Sequence, residues 1–371
     1  MKIFKDNAEW IDGTIACENG KIHSITPELL TGEDVIDGQG MLVVPGFVDV
    51  HIHGLYGVDT MDDDPEALLK MAAKLPTEGT TAFLATTMTA DLVDVERVLK
   101  RANEIVGKMQ LNGGAELLGI HVEGPFVNPD YAGAQPKEFM VIPTRTLLEK
   151  WLSYGVIRQM TVAPERVEAE LIELLTSYGV TVSVGHTSAG FEVMGDAVAS
   201  GVTQMTHLAN AMTGLHHREI GALGYAMLSD SIFCELIVDG HHLSREMVQL
   251  LYKVLGAERI LLVTDAMRAK GLADGSYDLG GQQVAVANKK ATLPGGVLAG
   301  SIISMIDEVR LMRSIISAPI EHLIQMASVN PARQIGVWNR KGSLTVGKDA
   351  DFLLVDDELT LYATYCRGVR L

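Results

Sequence analysis

Val44-Pro45-Gly46-Phe47-Val48-Asp49-Val50-His51-Ile52-His53-Gly54 is an apolar run that ends in two histidines and then breaks at a glycine. Side chains two apart on a strand project to the same side, so the stretch reads as a buried strand carrying a pair of imidazoles at its end, with Asp49 expected on their face. The same pattern recurs down the chain. His121-Val122 leads to Glu123 and Gly124-Pro125, Val182-Ser183-Val184-Gly185 to His186, Thr203-Gln204-Met205-Thr206 to His207, and Val263-Thr264 to Asp265. Polar residues at the ends of successive buried strands are how a (β/α)8 barrel assembles an active site on one rim. Imidazoles and carboxylates together suit a divalent transition metal.

Working outward, eight strand-like runs can be drawn: Leu42–Val50, Thr80–Ala85, Glu116–Val122, Met160–Ala163, Thr181–Gly185, Val202–Thr206, Phe233–Val238 and Arg259–Thr264. Helix-periodic segments such as Pro65–Lys74 and Leu92–Val106 lie between most of them. Eight strand–helix repeats are the number a closed parallel barrel requires. A doubly wound open sheet is the alternative, but it would not bring the ends of strands one, three, five, six and eight together. The chain ends differ from the middle. Glu18-Asn19-Gly20-Lys21-Ile22 carries a hairpin signal, and Phe352-Leu353-Leu354-Val355 reads as a strand. Neither end has enough apolar residues to fold alone. The expected fold is therefore α/β: a TIM barrel over residues 46–337, with a small β-sandwich built from both chain ends, 1–45 and 338–371.

The formal net charge of −17 argues against nucleic acid and anionic membrane surfaces as partners. It also means that an anionic substrate needs local cations to hold it. The N-terminal residues Met1 to Asp6 lack the apolar core of a signal peptide, and no apolar stretch approaches the ~18 residues of a membrane span. Cys17, Cys234 and Cys366 are far apart and odd in number, which suits a reducing cytoplasm.

Each candidate has an ordinary alternative. A lone histidine is often a satisfied core residue, and His121, deeper than Glu123 on the same face, suits that reading. His186 and His207 at neighbouring strand ends, aimed at the same point as Glu123, instead form a three-ligand site with an open position. Asp265 suits a carboxylate that takes a proton from water and returns it to a leaving amine; its alternative is a helix cap. Of His241 and His242, only one can point inward. Arg218, in a polar loop after strand six, is a natural partner for a phosphate or simply a surface arginine. The Leu298-Ala299-Gly300-Ser301 turn follows Pro294-Gly295-Gly296 and permits close approach to a ligand, but it lacks the Gly-Lys-Ser/Thr of a nucleotide-binding loop.

These residues resemble a known family. Val44 to Gly54 is similar to the opening motif of the amidohydrolase superfamily, and Gly347-Lys348-Asp349-Ala350-Asp351 to its closing motif. Within the superfamily the resemblance is to the N-acetylglucosamine-6-phosphate deacetylase family. It rests on His121-Val122-Glu123-Gly124-Pro125-Phe126, Val184-Gly185-His186-Thr187, Thr206 to Met212, Val263 to Met267 and Leu298 to Ser301. Many amidohydrolases have a bridging lysine at strand four; here Ala163-Pro164-Glu165 stands there.

The resemblance implies removal of acetate from a phosphorylated amino sugar. Glu123, His186 and His207 would hold a principal metal, and His51 and His53 a second, with Glu123 bridging; Asp265 would join the metal ligands and also act as the acid/base. That makes one or two divalent ions per subunit, zinc first, with iron, manganese or cobalt as alternatives. Arg218 and His242 would hold the sugar phosphate with support near Asn210-Ala211, and Gln135, Leu298, Ala299 and Ser301 would complete the substrate site. The arginine would come from a neighbouring subunit, which implies a homodimer. One departure is Gly133-Ala134-Gln135-Pro136, where many members have a histidine that polarises the acetyl carbonyl. A Gln amide still donates a hydrogen bond, without positive charge. Another amide substrate within the superfamily, a non-catalytic scaffold, and N-acetylgalactosamine 6-phosphate as substrate are the competing readings.

Overall fold

Gly46 divides the run that opens the barrel. In the computed structural model, which describes residues 1–5, 9–28, 35–38, 40–107 and 113–371, Leu42–Pro45 and Phe47–Ile52 are separate strands. The single strand expected over Leu42–Val50 is thus two. At the break Gly46 N donates to Asp351 O and Phe47 N to Gly79 O. A Cβ at position 46 would lie 2.2 Å from Thr81 Oγ1, so only glycine fits where the chain passes from one sheet to the other.

The barrel strands are β1 (Phe47–Ile52), β2 (Thr80–Thr87), β3 (Glu116–Glu123), β4 (Ile157–Val162), β5 (Thr181–Val184), β6 (Val202–Met205), β7 (Phe233–Leu236) and β8 (Ile260–Leu262), hydrogen-bonded in that order and all parallel. The seam between β8 and β1 is closed past the end of β8, where Asp265 N donates to His51 O at 2.8 Å and Ile52 bridges Ala266. Val48, Val50, Ala82, Leu84, Leu118, Leu261 and Val263 fill the interior, and Ala332 and Ile335 plug its floor. Helices outside bury one stripe each. Leu92–Ile105 turns Val95, Val98, Leu99, Ala102 and Ile105 inward, at helical spacing, and Asp91 caps its first turn by accepting from Val93 N. Each such buried Val or Leu contributes about 1.5–3 kcal/mol.

Both chain ends meet in one six-stranded sheet: Trp10–Asp12, Lys2–Phe4, Leu42–Pro45, Phe352–Val355, Leu361–Cys366 and Val369–Arg370, in that order. The two termini join where Leu42–Pro45 runs antiparallel to Phe352–Val355. A hairpin, Thr14–Glu18 with Lys21–Thr26, turns at Asn19-Gly20, both left-handed, and packs Ile22 into the sheet's core beside Ile3, Val43 and Phe352. A third sheet, Gly275–Leu279, Gln282–Ala287 and Lys290–Thr292, was not anticipated. It follows β8 and lies against the barrel mouth, with Leu279 in a cluster with Met88 and Met267, and Gln282 Nε2 donating to Ala134 O.

Candidate active site

Glu123 ends β3 with its carboxylate between two pairs of imidazoles. Oε1 lies 3.2 Å from His186 Nε2 and 3.1 Å from His207 Nε2; Oε2 lies 3.2 Å from His53 Nε2 and 3.6 Å from His51 Nε2. Asp265 Oδ1 closes the second side at 3.3 Å from His51 Nε2 and 3.2 Å from His53 Nε2. All six side chains are buried or nearly so. His186, His207 and Asp265 adopt left-handed backbone angles, with φ of 49°, 32° and 44°. Each strand ends in this turn, so the following side chain projects over the barrel mouth. Non-glycine residues held in that region cluster at functional sites.

The donor chemistry fits a divalent cation. His186 Nδ1 lies 2.9 Å from the Tyr131 carbonyl and His51 Nδ1 lies 2.9 Å from Glu235 Oε2. Each therefore donates its Nδ1 proton outward and turns an Nε2 lone pair inward, the orientation metal-ligating histidines take. His186 Nε2 and His207 Nε2 stand 3.0 Å apart, and buried His51 Nε2 has no hydrogen-bond partner among the described residues. Lone pairs converge in this way where a cation is shared. Two groups of residues that could hold a metal ion share the Glu123 carboxylate, His51–His53–Glu123 and Glu123–His186–His207.

The electrostatics show the protons that a bound cation would displace. Burial pushes His51 and His53 down, but the carboxylates of Asp265 and Glu123, with Glu235 beside His51, outweigh it; His51 ends well above an ordinary imidazole and His53 is pushed up to about 9. Burial would raise Glu123 and Asp265, yet the facing imidazoles hold both below the usual carboxylate range. Asp265 is thus held as the carboxylate. His121 is held well below an ordinary histidine by burial and by the charge on His51; its Nε2 pairs with Thr161 Oγ1 at 2.7 Å.

A cavity of 380 Å³ opens over this cluster, lined among others by Gln135, Asn210, Ala211, His242, Asp265 and Leu298. That is room for a small ligand. His242 turns its Nδ1 to Asp239 Oδ2 at 2.8 Å, while His241 is exposed. Ala299 and Ser301 are buried and do not line the cavity; Ser301 Oγ donates to Thr264 O, and Ser301 N to Asp265 O, so this segment braces the Asp265 turn. Arg218 lies outside the cavity of its own chain. It lines a separate surface cleft with His216 and His217, and its guanidinium contacts His217 Nε2 at 2.6 Å.

One local expectation needs correction, and one residue gains contacts that the sequence left open. Asp49 does not share the face of the imidazoles, because the register of β1 against β2 shifts between Asp49 and Ile52. Its carboxylate instead accepts from Thr264 Oγ1 at 2.6 Å and from His51 N at 3.2 Å, stitching the seam. Gln135 is fixed at both ends of its amide: Oε1 accepts from Thr89 N at 2.8 Å, and Nε2 donates to Glu123 Oε2 at 2.7 Å. Since a backbone N–H can only donate, the amide orientation follows, and one Nε2 proton is committed to Glu123.

Sequence reasoning also passed over several residues. Glu235, Gln159 and Gln204 are fully buried polar side chains inside β7, β4 and β6; a charge in the middle of a buried strand was the available signal. Glu165 was noted only as standing where other amidohydrolases have lysine. It accepts from Thr187 Oγ1, Ser188 N and Asn128 Nδ2, and so anchors the loop that follows His186.

The chain matches the amidohydrolase family over residues 42–370, and with the barrel and the histidine–carboxylate cluster in view it belongs to that family, hydrolases that act on amide C–N bonds. It is 41% identical over 375 residues to the N-acetylglucosamine-6-phosphate deacetylase of Bacillus subtilis (strain 168), covering 99% of this chain and 95% of that protein. It is 43% identical over 355 residues to the enzyme of the same name from Lysinibacillus sphaericus, covering 95% and 91%. The crystal structure of N-acetylglucosamine-6-phosphate deacetylase from Thermotoga maritima superposes with a TM-score of 0.90 at 34% identity, over 100% of this chain and 98% of that one.

Proposed function

We propose that this chain is a metal-dependent deacetylase that hydrolyses N-acetyl-D-glucosamine 6-phosphate to D-glucosamine 6-phosphate and acetate. The observation that carries the reading is the Glu123 carboxylate with an imidazole pair at each oxygen and Asp265 facing the same cavity. Glu123, His186 and His207 would hold one divalent ion, zinc by donor chemistry, and His51 and His53 with Glu123 a second. A metal held there would lower the pKa of bound water to near 7 and could polarise the acetyl carbonyl. Asp265, already ionised, takes the proton of the water whose oxygen attacks the acetyl carbon. It passes that proton to the amine nitrogen as the C–N bond breaks. The three-stranded sheet beside the mouth and Leu298 limit the access of bulk water.

His242, held by Asp239, and the Asn210-Ala211 turn would face the sugar phosphate. Arg218 lines a cleft next to its own cavity, with Tyr131 common to both, and we read it as reaching the site of a neighbouring subunit in a homodimer. We read residues 46–337 as the catalytic barrel and 1–45 with 338–371 as the domain that supports it, in a cytoplasmic enzyme.

The test is acetate release from N-acetylglucosamine 6-phosphate, from its unphosphorylated form and from N-acetylgalactosamine 6-phosphate, with metal content measured on the same sample. Turnover of phosphorylated sugar alone, lost on chelation and restored by zinc, is the expected result. Equal turnover with and without phosphate overturns the phosphate site, and no turnover by metal-loaded protein overturns the substrate.

A further inference from the structure

Glu235 is fully buried in β7, beneath the ligand cluster, and its part in the site is not explained by the reaction above. Both of its oxygens are engaged. Oε1 accepts from Gln159 Nε2 at 2.6 Å and from Gln204 Nε2 at 2.7 Å; Oε2 faces His51 Nδ1 at 2.9 Å and accepts from His207 N at 3.3 Å. Among the described residues no Lys or Arg side chain forms an ion pair with it; its one ionic partner is His51. A buried carboxylate without a Lys or Arg partner is costly to keep. Strands β1, β4 and β6 nevertheless supply side chains or backbone to hold it in one orientation.

We infer that Glu235 is a positioning residue that sets which nitrogen of His51 is free to bind metal. The inference rests on the two-sided metal site proposed above. A carboxylate can only accept, so it requires a proton on His51 Nδ1 and leaves Nε2, 3.6 Å from Glu123 Oε2 and 3.3 Å from Asp265 Oδ1, as the lone-pair nitrogen. The same contact fixes the ring plane and increases the basicity of Nε2. The two glutamines hold Glu235 against rotation. The effect is directional: Glu235 reaches the His51 ring but only the backbone of His207, so it acts on the His51–His53 side of Glu123 and not on the His186–His207 side.

Glu235→Gln keeps the volume but ends the obligate acceptor. An amide either presents N–H to His51 Nδ1, which forces the proton onto Nε2, or presents a neutral oxygen, which weakens the ring's polarisation. The experiment strips metal from wild type, Glu235→Gln and, as a milder variant, Gln204→Met. Each is titrated with Zn²⁺ by calorimetry, and the metal-free melting of each is recorded. Wild type should bind two equivalents. Glu235→Gln should weaken one of them by about 10- to 100-fold, the range for a residue that orients a ligand, and leave the other within about threefold. Gln204→Met should weaken the same equivalent by less. Adding His53→Asn to Glu235→Gln should cause little further loss at the surviving equivalent. Two unchanged equivalents in Glu235→Gln overturn the role. Equal loss of both, with lower metal-free melting, overturns it in favour of a structural one. A wild type that binds one equivalent, unaffected by His53→Asn, overturns the two-sided site itself and this role with it.

Discussion

Lys341→Met probes the joint between the barrel floor and the sheet made from the chain ends. The Lys341 side chain is 1% exposed, and its Nζ stands 2.7 Å from Glu116 Oε2, 2.9 Å from Asp349 Oδ2 and 2.5 Å from Asp351 Oδ2. Burial alone would push this lysine toward neutrality, but Asp351, Glu116 and Asp349 outweigh it and hold its pKa above the ordinary value. Methionine replaces the stem and removes the charge. Arg340 still reaches Glu116 at 2.8 Å and Asp349 at 2.7 Å, so Asp351 is left least compensated. Removing one partner of a buried pair costs about 3–5 kcal/mol. With an unfolding entropy of about 2.1 cal/mol/K per residue, the 371 residues melting together carry roughly 0.8 kcal/mol/K. The melting temperature should therefore fall by about 4–6 °C at pH 7.

The pH dependence is the sharper part. Burial would raise Glu116 and Asp349, but the Arg340 and Lys341 cations bring both below ordinary carboxylates. A lowered carboxylate stabilises fully above its unfolded pKa, about 4, and the contribution is lost as pH falls through the folded value. The raised Lys341 stabilises below its unfolded pKa, about 10.4, and fades only as pH rises past the folded value. The gap between wild type and variant should be flat from about pH 5 to 9 and narrow below about pH 4. Calorimetric melting of both proteins at stepped pH checks this. A gap below about 1 kcal/mol at pH 7, or one that does not narrow in acid, would refute the assignment of a mutually charged buried cluster.

Gln135→Leu leaves Thr89 N without its acceptor and Glu123 without the Nε2 proton, so melting should drop by the equivalent of about 1–3 kcal/mol and metal content should fall in parallel; full metal retention with slower turnover per bound ion would instead put the amide on the substrate. Asp265→Asn should lower turnover by about 10²–10⁴-fold while the protein stays folded, and a variant keeping a tenth of the wild-type rate would remove Asp265 from the proton path. Arg218→Ala should raise KM for the phosphorylated sugar by about 10- to 100-fold, the loss of one charge-assisted hydrogen-bonding group, and leave the unphosphorylated sugar unaffected; equal effects on both sugars would place Arg218 outside phosphate recognition.

The barrel was legible because its signal is local. Runs such as Val182–Val184 and Val202–Met205 are buried strands whose composition and length are readable one segment at a time, and the chemistry-bearing residues stand where those runs stop. The extra sheet over residues 275–292 carries an equally local signal, Gly280-Gly281 between alternating segments. The register shift in β1 was not legible. Strict alternation puts Asp49 beside His51 and His53, and only pairing with β2 and closure against Thr264 turn it to the seam. Gln135 was identified from the resemblance, but the amide's anchoring to Thr89 N, 46 residues away, depends on two loops meeting.

The sequence by itself determined the eight barrel strands and the ligand types at their ends, because burial and side-chain chemistry belong to single segments. Only the tertiary structure decided that Asp49 turns to Thr264 at the seam, that Glu235 meets His51 across 184 residues, and that Gln135 is held between Thr89 N and Glu123. Those outcomes depend on register and barrel closure, which are set by contacts between strands and not by any strand alone.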